Sequence, residues 1–167
     1  MKIYRLHEKQ NLPISVGEAW DFLSDPKNLK RITPDYMGFD ILSGAERKMF
    51  PGQIIQYRLT PVLGIPVRWV TEITHVEEGA YFVDEQRFGP YSLWHHKHFI
   101  YPTKNGVMME DVVDYKIPFG LLGKLAHFLF VKYKVKQIFD YRERALHEIF
   151  KPSKWTKNIY LSAVVTE

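Results

Sequence analysis

The chain has 167 residues, a length that fits one domain. Hydrophobic residues make up 46% and charged residues 25%, which excludes collagen-like, coiled-coil and disordered classes. The net charge of +4 is small, so it does not indicate a nucleic-acid partner. Cysteine is absent, and this excludes disulfides, thiolate metal sites and cysteine nucleophiles.

Aromatic residues reach 15%, more flat apolar surface than a small core requires, so we expect an interior surface lined with rings. Charged residues such as Lys2, Arg5 and Glu8 stand where a signal peptide needs an apolar stretch. The most apolar segment, residues 117–131, is shorter than the roughly 20 residues that cross a bilayer. We therefore expect a soluble, cytoplasmic protein.

The first 34 residues predict one strand and two short helices. Residues 2–12 alternate loosely between apolar and polar and predict a strand. Ser15 is followed three residues later by Glu18, the spacing of a capping box, so a helix should begin there and end before Pro26. A second short helix over residues 27–32 should end before Pro34.

From residue 39 to 116 the apolar pattern has period two with glycine-rich interruptions, which predicts about six antiparallel strands. After Pro118 the period becomes helical and predicts one amphipathic helix of roughly 30 residues, ended by Pro152. Its apolar face is expected to contain Leu121, Leu125, Phe128, Val135, Phe139, Leu146 and Ile149. Residues 153–167 have no clear period and are expected to form a mobile or partner-docking tail.

The Asn105-Gly106 pair predicts a type I′ hairpin turn and thereby a register between two strands. Counting from that turn places Asp111 opposite Ile100 and Tyr115 opposite His96. Lys97 and Asp114 then form an opposite-charge pair on the outer face. The other face is the candidate cavity surface and combines rings with polar groups: Trp94, His96, His98, Ile100, Met109, Asp111, Val113 and Tyr115.

Buried imidazoles and carboxylates require hydrogen bonds, so His96, His98 and Asp111 allow three interpretations. They could orient a largely apolar ligand, act as general acid and base, or form a network that only stabilises the sheet. Arg142 falls within the apolar stripe of the long helix. It could hold the acidic end of a ligand or form a structural ion pair with a sheet carboxylate.

Neither a metal site nor a cofactor site is predicted. His96-x-His98 with Asp111 is similar to a metal-binding His-x-His set, but no further ligand can be identified from the sequence. Residues 44–52 lack a phosphate-binding pattern, and no Gly-x-Ser-x-Gly elbow is present.

Several segments carry a family resemblance: residues 22–29 with 32–34, 82–86 with 89–91, 94–99, 111–115 and 138–142. In this order they resemble the START-like, Bet v 1-like (SRPBCC) superfamily. The closest likeness is to the small bacterial ligand-binding domain also found appended to sugar-nucleotide-epimerase-like proteins. The resemblance implies an α+β helix-grip fold over residues 1–150, with a curved antiparallel sheet of about seven strands around the C-terminal helix. Residues 151–167 would form a tail.

A helix cannot fill the whole concavity of a bent sheet, so a cavity should remain, and the surplus of aromatic residues suits flat or elongated apolar molecules. The first hypothesis is therefore non-enzymatic binding or transport of a hydrophobic small molecule, such as a lipid, quinone, isoprenoid or polyketide-like compound, in this internal cavity. The expected ligand-binding residues are Phe82, Trp94, His96, His98, Asp111, Val113, Tyr115 and Arg142. By similarity to polyketide cyclases, the alternative is a cyclase or dehydratase with His96 or His98 as base and Asp111 as its partner.

A third hypothesis is a protein-interaction module formed by the terminal helix and tail. Lysines 124, 132, 134 and 136 of that helix lie near apolar residues in the sequence and could also rest on an anionic membrane surface.

Overall fold

Seven strands form one antiparallel sheet in the computed structural model, which describes residues 2–62 and 65–151. They are β1 (Tyr4–Leu12), β2 (Asp40–Ser43), β3 (Gln53–Val62), β4 (Ile65–Glu77), β5 (Tyr81–Phe88), β6 (Leu93–Thr103) and β7 (Gly106–Lys116). The order across the sheet is β1-β7-β6-β5-β4-β3-β2. This curved sheet with a long C-terminal helix confirms the predicted α+β helix-grip fold. The predicted tail lies outside the described residues, except for Lys151.

Three short helical segments connect β1 to β2. Helix α1 (Val16–Leu23) begins at the predicted capping box, in which Ser15 Oγ accepts from the Glu18 backbone N–H at 3.2 Å. Two 3₁₀ turns follow, Pro26–Ile32 and Asp35–Met37. Ser15 caps the start of α1, and Pro26 occupies the first position of the next turn, where proline is favoured. The starts of these two short elements therefore follow from local sequence.

The C-terminal helix is continuous but not uniform. It consists of α2 (Gly120–Ala126), a π-helical turn (His127–Val131) and α3 (Lys132–Ile149). None of the helices in residues 2–62 and 65–151 combines the length and the hydropathy of a membrane-spanning segment.

The prediction of a single buried apolar face is wrong for α2 and the π turn, the first part of this helix. Val135, Phe139 and Leu146 are buried, but Leu121, Leu125 and Phe128 are exposed. A π turn holds more residues than an α turn, so it changes the phase of the helix. The buried residues of α2 and the π turn are Gly123 and His127. Gly123 fits there because a Cβ atom would lie 1.9 Å from the Pro118 carbonyl oxygen.

The β6–β7 register differs from the prediction by two residues. Asp111 lies opposite His98, and His96 lies opposite Val113. The turn is centred on Lys104 and Asn105, neither of which has the positive φ that a type I′ turn requires. A shift of two keeps every side chain on its face, so the face assignment survives. Lys97 still reaches Asp114, diagonally, at 2.9 Å.

Gly106 opens β7 at a φ of 138°, where a Cβ atom would lie 2.1 Å from the Leu12 carbonyl oxygen of β1. We expect Gly106→Ala to lower the free energy of unfolding by about 2–3 kcal/mol, because backbone strain and a steric clash add together. Gly52→Ala is the matched control, since Gly52 has a φ of 87° and no atom within 4 Å of its Cβ position. It should cost about 1 kcal/mol in urea unfolding. Equal losses would contradict the close approach of β1.

Candidate functional site

A cavity of about 280 Å³ lies between the sheet and α3, and residues of the 3₁₀ turns also line it. This volume is just below the roughly 300–1,000 Å³ typical of small-molecule sites. Its lining is largely apolar and includes Phe22, Met37, Tyr57, Trp69, Trp94 and Phe139. The buried apolar residues of the core form three clusters, and each cluster contributes residues to this lining.

Strand pairing places a group of charged side chains at one side of this cavity. Asp84 of β5 lies opposite His96 of β6, and His98 of β6 lies opposite Asp111 of β7. Arg142 of α3 reaches the same point from the helix and is buried. We call these five residues the polar cluster.

The two imidazoles of the polar cluster lie between its two carboxylates. His96 Nε2 is 2.8 Å from Asp111 Oδ1, and His98 Nε2 is 2.8 Å from Asp84 Oδ2. The remaining ring nitrogens also face carboxylates, with His98 Nδ1 2.9 Å from Asp111 Oδ1 and His96 Nδ1 3.5 Å from Asp84 Oδ2. Arg142 Nη2 is 3.3 Å from His98 Nδ1 and 3.6 Å from Asp111 Oδ1.

Aromatic contacts hold the imidazole rings in place. The two rings lie 3.6 Å apart between centroids, and Phe82 stacks on His98 at 4.0 Å. Phe139 contacts the His96 ring edge-to-face at 5.4 Å. The polar cluster therefore has a packed apolar frame rather than a solvated one.

The environment keeps both carboxylates of the polar cluster ionised. Burial alone would raise the pKa of Asp111, but the charge of Arg142 and hydrogen bonds from the imidazoles lower it well below its usual value. Burial is likewise outweighed at Asp84, whose pKa is lowered by the hydrogen bond from His98 and by nearby positive charge. Burial, followed by the neighbouring charge of His98, lowers the pKa of His96 to about 4. His96 is thus a neutral and weakly basic hydrogen-bonding group.

Of the residues expected to bind ligand, Phe82, Trp94, His96, His98 and Arg142 line the cavity. The remaining three expected residues are on β7 and do not line it. Asp111 lies behind the imidazoles and lines a smaller pocket beside β1. Val113 and Tyr115 are buried against α3, and the Tyr115 hydroxyl is 3.0 Å from His127 Nε2.

Sequence reasoning missed Asp84, the second carboxylate of the polar cluster. The alternation of β5 carried a usable signal, because Asp84 is two residues from Phe82 and therefore shares its face. That signal could be used only once β5 was known to pair with β6.

Another feature of the surface is the apolar helix face, which covers α2 and the π turn. Its members follow helical spacing and are each more than half exposed: Leu121, Leu122, Leu125, Phe128 and Leu129. Lys132 lies over the Phe128 ring, with Nζ 5.1 Å from the centroid. A contiguous exposed apolar patch of this kind usually marks an interaction surface.

No family model matches the chain, and no curated protein matches it. Solved structures match its fold. The protein TTHA0849 from Thermus thermophilus has a TM-score of 0.69 at 13% identity, over 87% of this chain and 95% of that one. The protein CV1439 from Chromobacterium violaceum has a TM-score of 0.68 at 14% identity, over 90% of this chain and 99% of that one. The Bet v 1 allergen Ara h 8.0201 has a TM-score of 0.59 at 16% identity, over 88% of this chain and 99% of that one. The fold is therefore Bet v 1-like.

Proposed function

We propose that the protein binds a mainly apolar small molecule, of the lipid, quinone, isoprenoid or polyketide-like kind, in the cavity between the sheet and α3. The observation that carries the proposal is the cavity itself, whose walls are mainly aromatic and aliphatic and include four members of the polar cluster, Asp84, His96, His98 and Arg142. Apolar walls supply affinity through burial, and a few fixed polar groups orient the ligand. Arg142 Nε is buried and has no hydrogen-bond partner within the described residues, so it is available to a polar atom of the ligand.

The test is a fluorescence titration with 1-aminoanthracene, a flat apolar probe. Ile138 is a partly buried cavity residue of α3, and Ile138→Trp should occupy the probe's space. We expect this variant to bind at least about 10-fold more weakly, a loss of about 1.4 kcal/mol. Gln137→Trp adds the same ring to the exposed neighbouring position and should leave binding unchanged. If both variants bind like the parent, the probe lies elsewhere and the cavity proposal fails.

A second observation favours docking on an anionic membrane surface, where an apolar ligand would be exchanged. The apolar helix face lies on the same part of the chain as cavity residues Ile117, Val131 and Lys134. No Asp or Glu occurs between Asp114 and Asp140. The same stretch contains five lysines, Lys116, Lys124, Lys132, Lys134 and Lys136. Exposed apolar groups combined with one sign of charge match a bilayer that contains acidic lipids.

A further inference from the structure

Three atoms of the polar cluster have the spacing of metal ligands. Asp84 Oδ2 is 2.8 Å from His98 Nε2 and 3.5 Å from His96 Nδ1, and ligand atoms of the three residues all lie within 4.8 Å of one another. Bonds of about 2.0–2.2 Å to a tetrahedral ion separate its ligand atoms by roughly 3.5 Å. The three side chains therefore need only a small adjustment to surround an ion.

Asp111 lies where an outer-shell carboxylate would be required. Its Oδ1 is 2.8 Å from His96 Nε2 and 2.9 Å from His98 Nδ1, the ring nitrogens that would not bind the ion. Metal-binding imidazoles usually donate their second N–H to such a carboxylate, which fixes the tautomer and the ring orientation. One carboxylate oxygen can do this for both rings here.

The guanidinium of Arg142 lies beside Asp111 rather than at the proposed ion position. Arg142 Nη2 approaches His98 from its Nδ1 side, 3.3 Å away, which is the side opposite the proposed ligand atom. Its guanidinium therefore neutralises Asp111 without occupying the ion's place.

We propose that Asp84, His96 and His98 form a binding site for a first-row divalent transition metal ion such as Zn²⁺, with Asp111 as the residue that positions both imidazoles. Two nitrogens and one carboxylate oxygen suit these ions, and a set of three protein ligands leaves further positions open. All three ligands line the cavity, so those positions face it. This inference departs from the sequence-based expectation of no metal and does not depend on the proposed apolar ligand.

The test measures metal binding by chelator-treated protein with no other ligand present. Equilibrium dialysis against ZnCl₂, followed by metal analysis, gives stoichiometry and affinity, and Co²⁺ gives a visible spectrum that reports its ligands. We expect one Zn²⁺ per chain. Asp84→Asn should weaken binding at least about 100-fold, and Asp111→Asn should weaken it about 10–100-fold.

The matched control is a second His–carboxylate pair of the same two strands. His95 and Glu85 neighbour His96 and Asp84 in sequence, and His95 Nδ1 is 3.1 Å from Glu85 Oε1. Their side chains lie on the opposite face of the sheet because strand residues alternate. His95→Gln and Glu85→Gln should leave Zn²⁺ binding unchanged.

Several results would overturn the proposal. They are a parent protein that binds no Zn²⁺, binding that survives Asp84→Asn, and binding that disappears in His95→Gln, which would assign the ion to the outer face. Circular dichroism establishes whether each variant folds. If Asp84→Asn does not fold, the Co²⁺ spectrum of the parent decides, because the spectrum of fully hydrated Co²⁺ would contradict ligation by imidazole.

Discussion

Replacing Arg142 by methionine is expected to lower the free energy of unfolding by about 3–5 kcal/mol. Arg142 is buried within the polar cluster, with Nη2 3.6 Å from Asp111 Oδ1. Methionine retains much of the apolar stem but removes the only guanidinium near buried Asp111 and partly buried Asp84 within the described part of the chain. Asp84 and Asp111 would then lose the guanidinium charge that offsets their negative charges. Urea unfolding monitored by circular dichroism, in buffer that contains a chelator, measures the change.

The control for this prediction is Arg144→Met, which removes the same charge from an exposed position of α3. It should change stability by no more than about 0.5 kcal/mol. The double variant Arg142→Met with Asp111→Asn should recover part of the loss, because one of the uncompensated charges is then removed. If Arg142→Met costs as little as Arg144→Met, the guanidinium does not stabilise the polar cluster.

Local patterns were sufficient to predict most of the fold. Strands β2 to β7 follow from period-two patterning with glycine-rich turns, and the helix start at Ser15 follows from its capping box. The long helix was visible as a change of period after Pro118. Each of these signals depends on residues that are close together in the sequence, so none required knowledge of the tertiary structure.

The errors arose where contacts distant in sequence decide the structure. The hairpin turn lies one residue earlier than predicted, and Gly106 lies instead in β7, where Leu12 of another strand approaches it closely. The π turn alters the helix phase without any proline or glycine inside residues 127–131. Asp84 could be assigned to the candidate site only after β5 was paired with β6. In all three cases the missing information was which segments lie side by side.

Substituting three residues of the apolar helix face is expected to weaken binding to anionic vesicles by roughly 100-fold. The variant combines Leu121→Ser, Leu125→Ser and Phe128→Ser, which are all exposed, so folding should be little affected. Each lost side chain removes about 1 kcal/mol of partial burial in the interface, and about 2.7 kcal/mol in total corresponds to this factor. Sedimentation with phosphatidylglycerol vesicles measures the binding.

The control variant combines Ile65→Ser and Phe88→Ser, which remove exposed apolar side chains from the sheet and should leave vesicle binding unchanged. Because lysines also contribute, binding should fall with added salt and with pure phosphatidylcholine vesicles. If a second copy of the chain covers the apolar helix face instead, the parent protein should be a dimer and the triple variant a monomer. A face covered by residues 152–167 would bind vesicles only after truncation at Lys151. Either result would contradict membrane docking by the full chain, because the same leucines cannot be buried in protein and inserted in lipid at once.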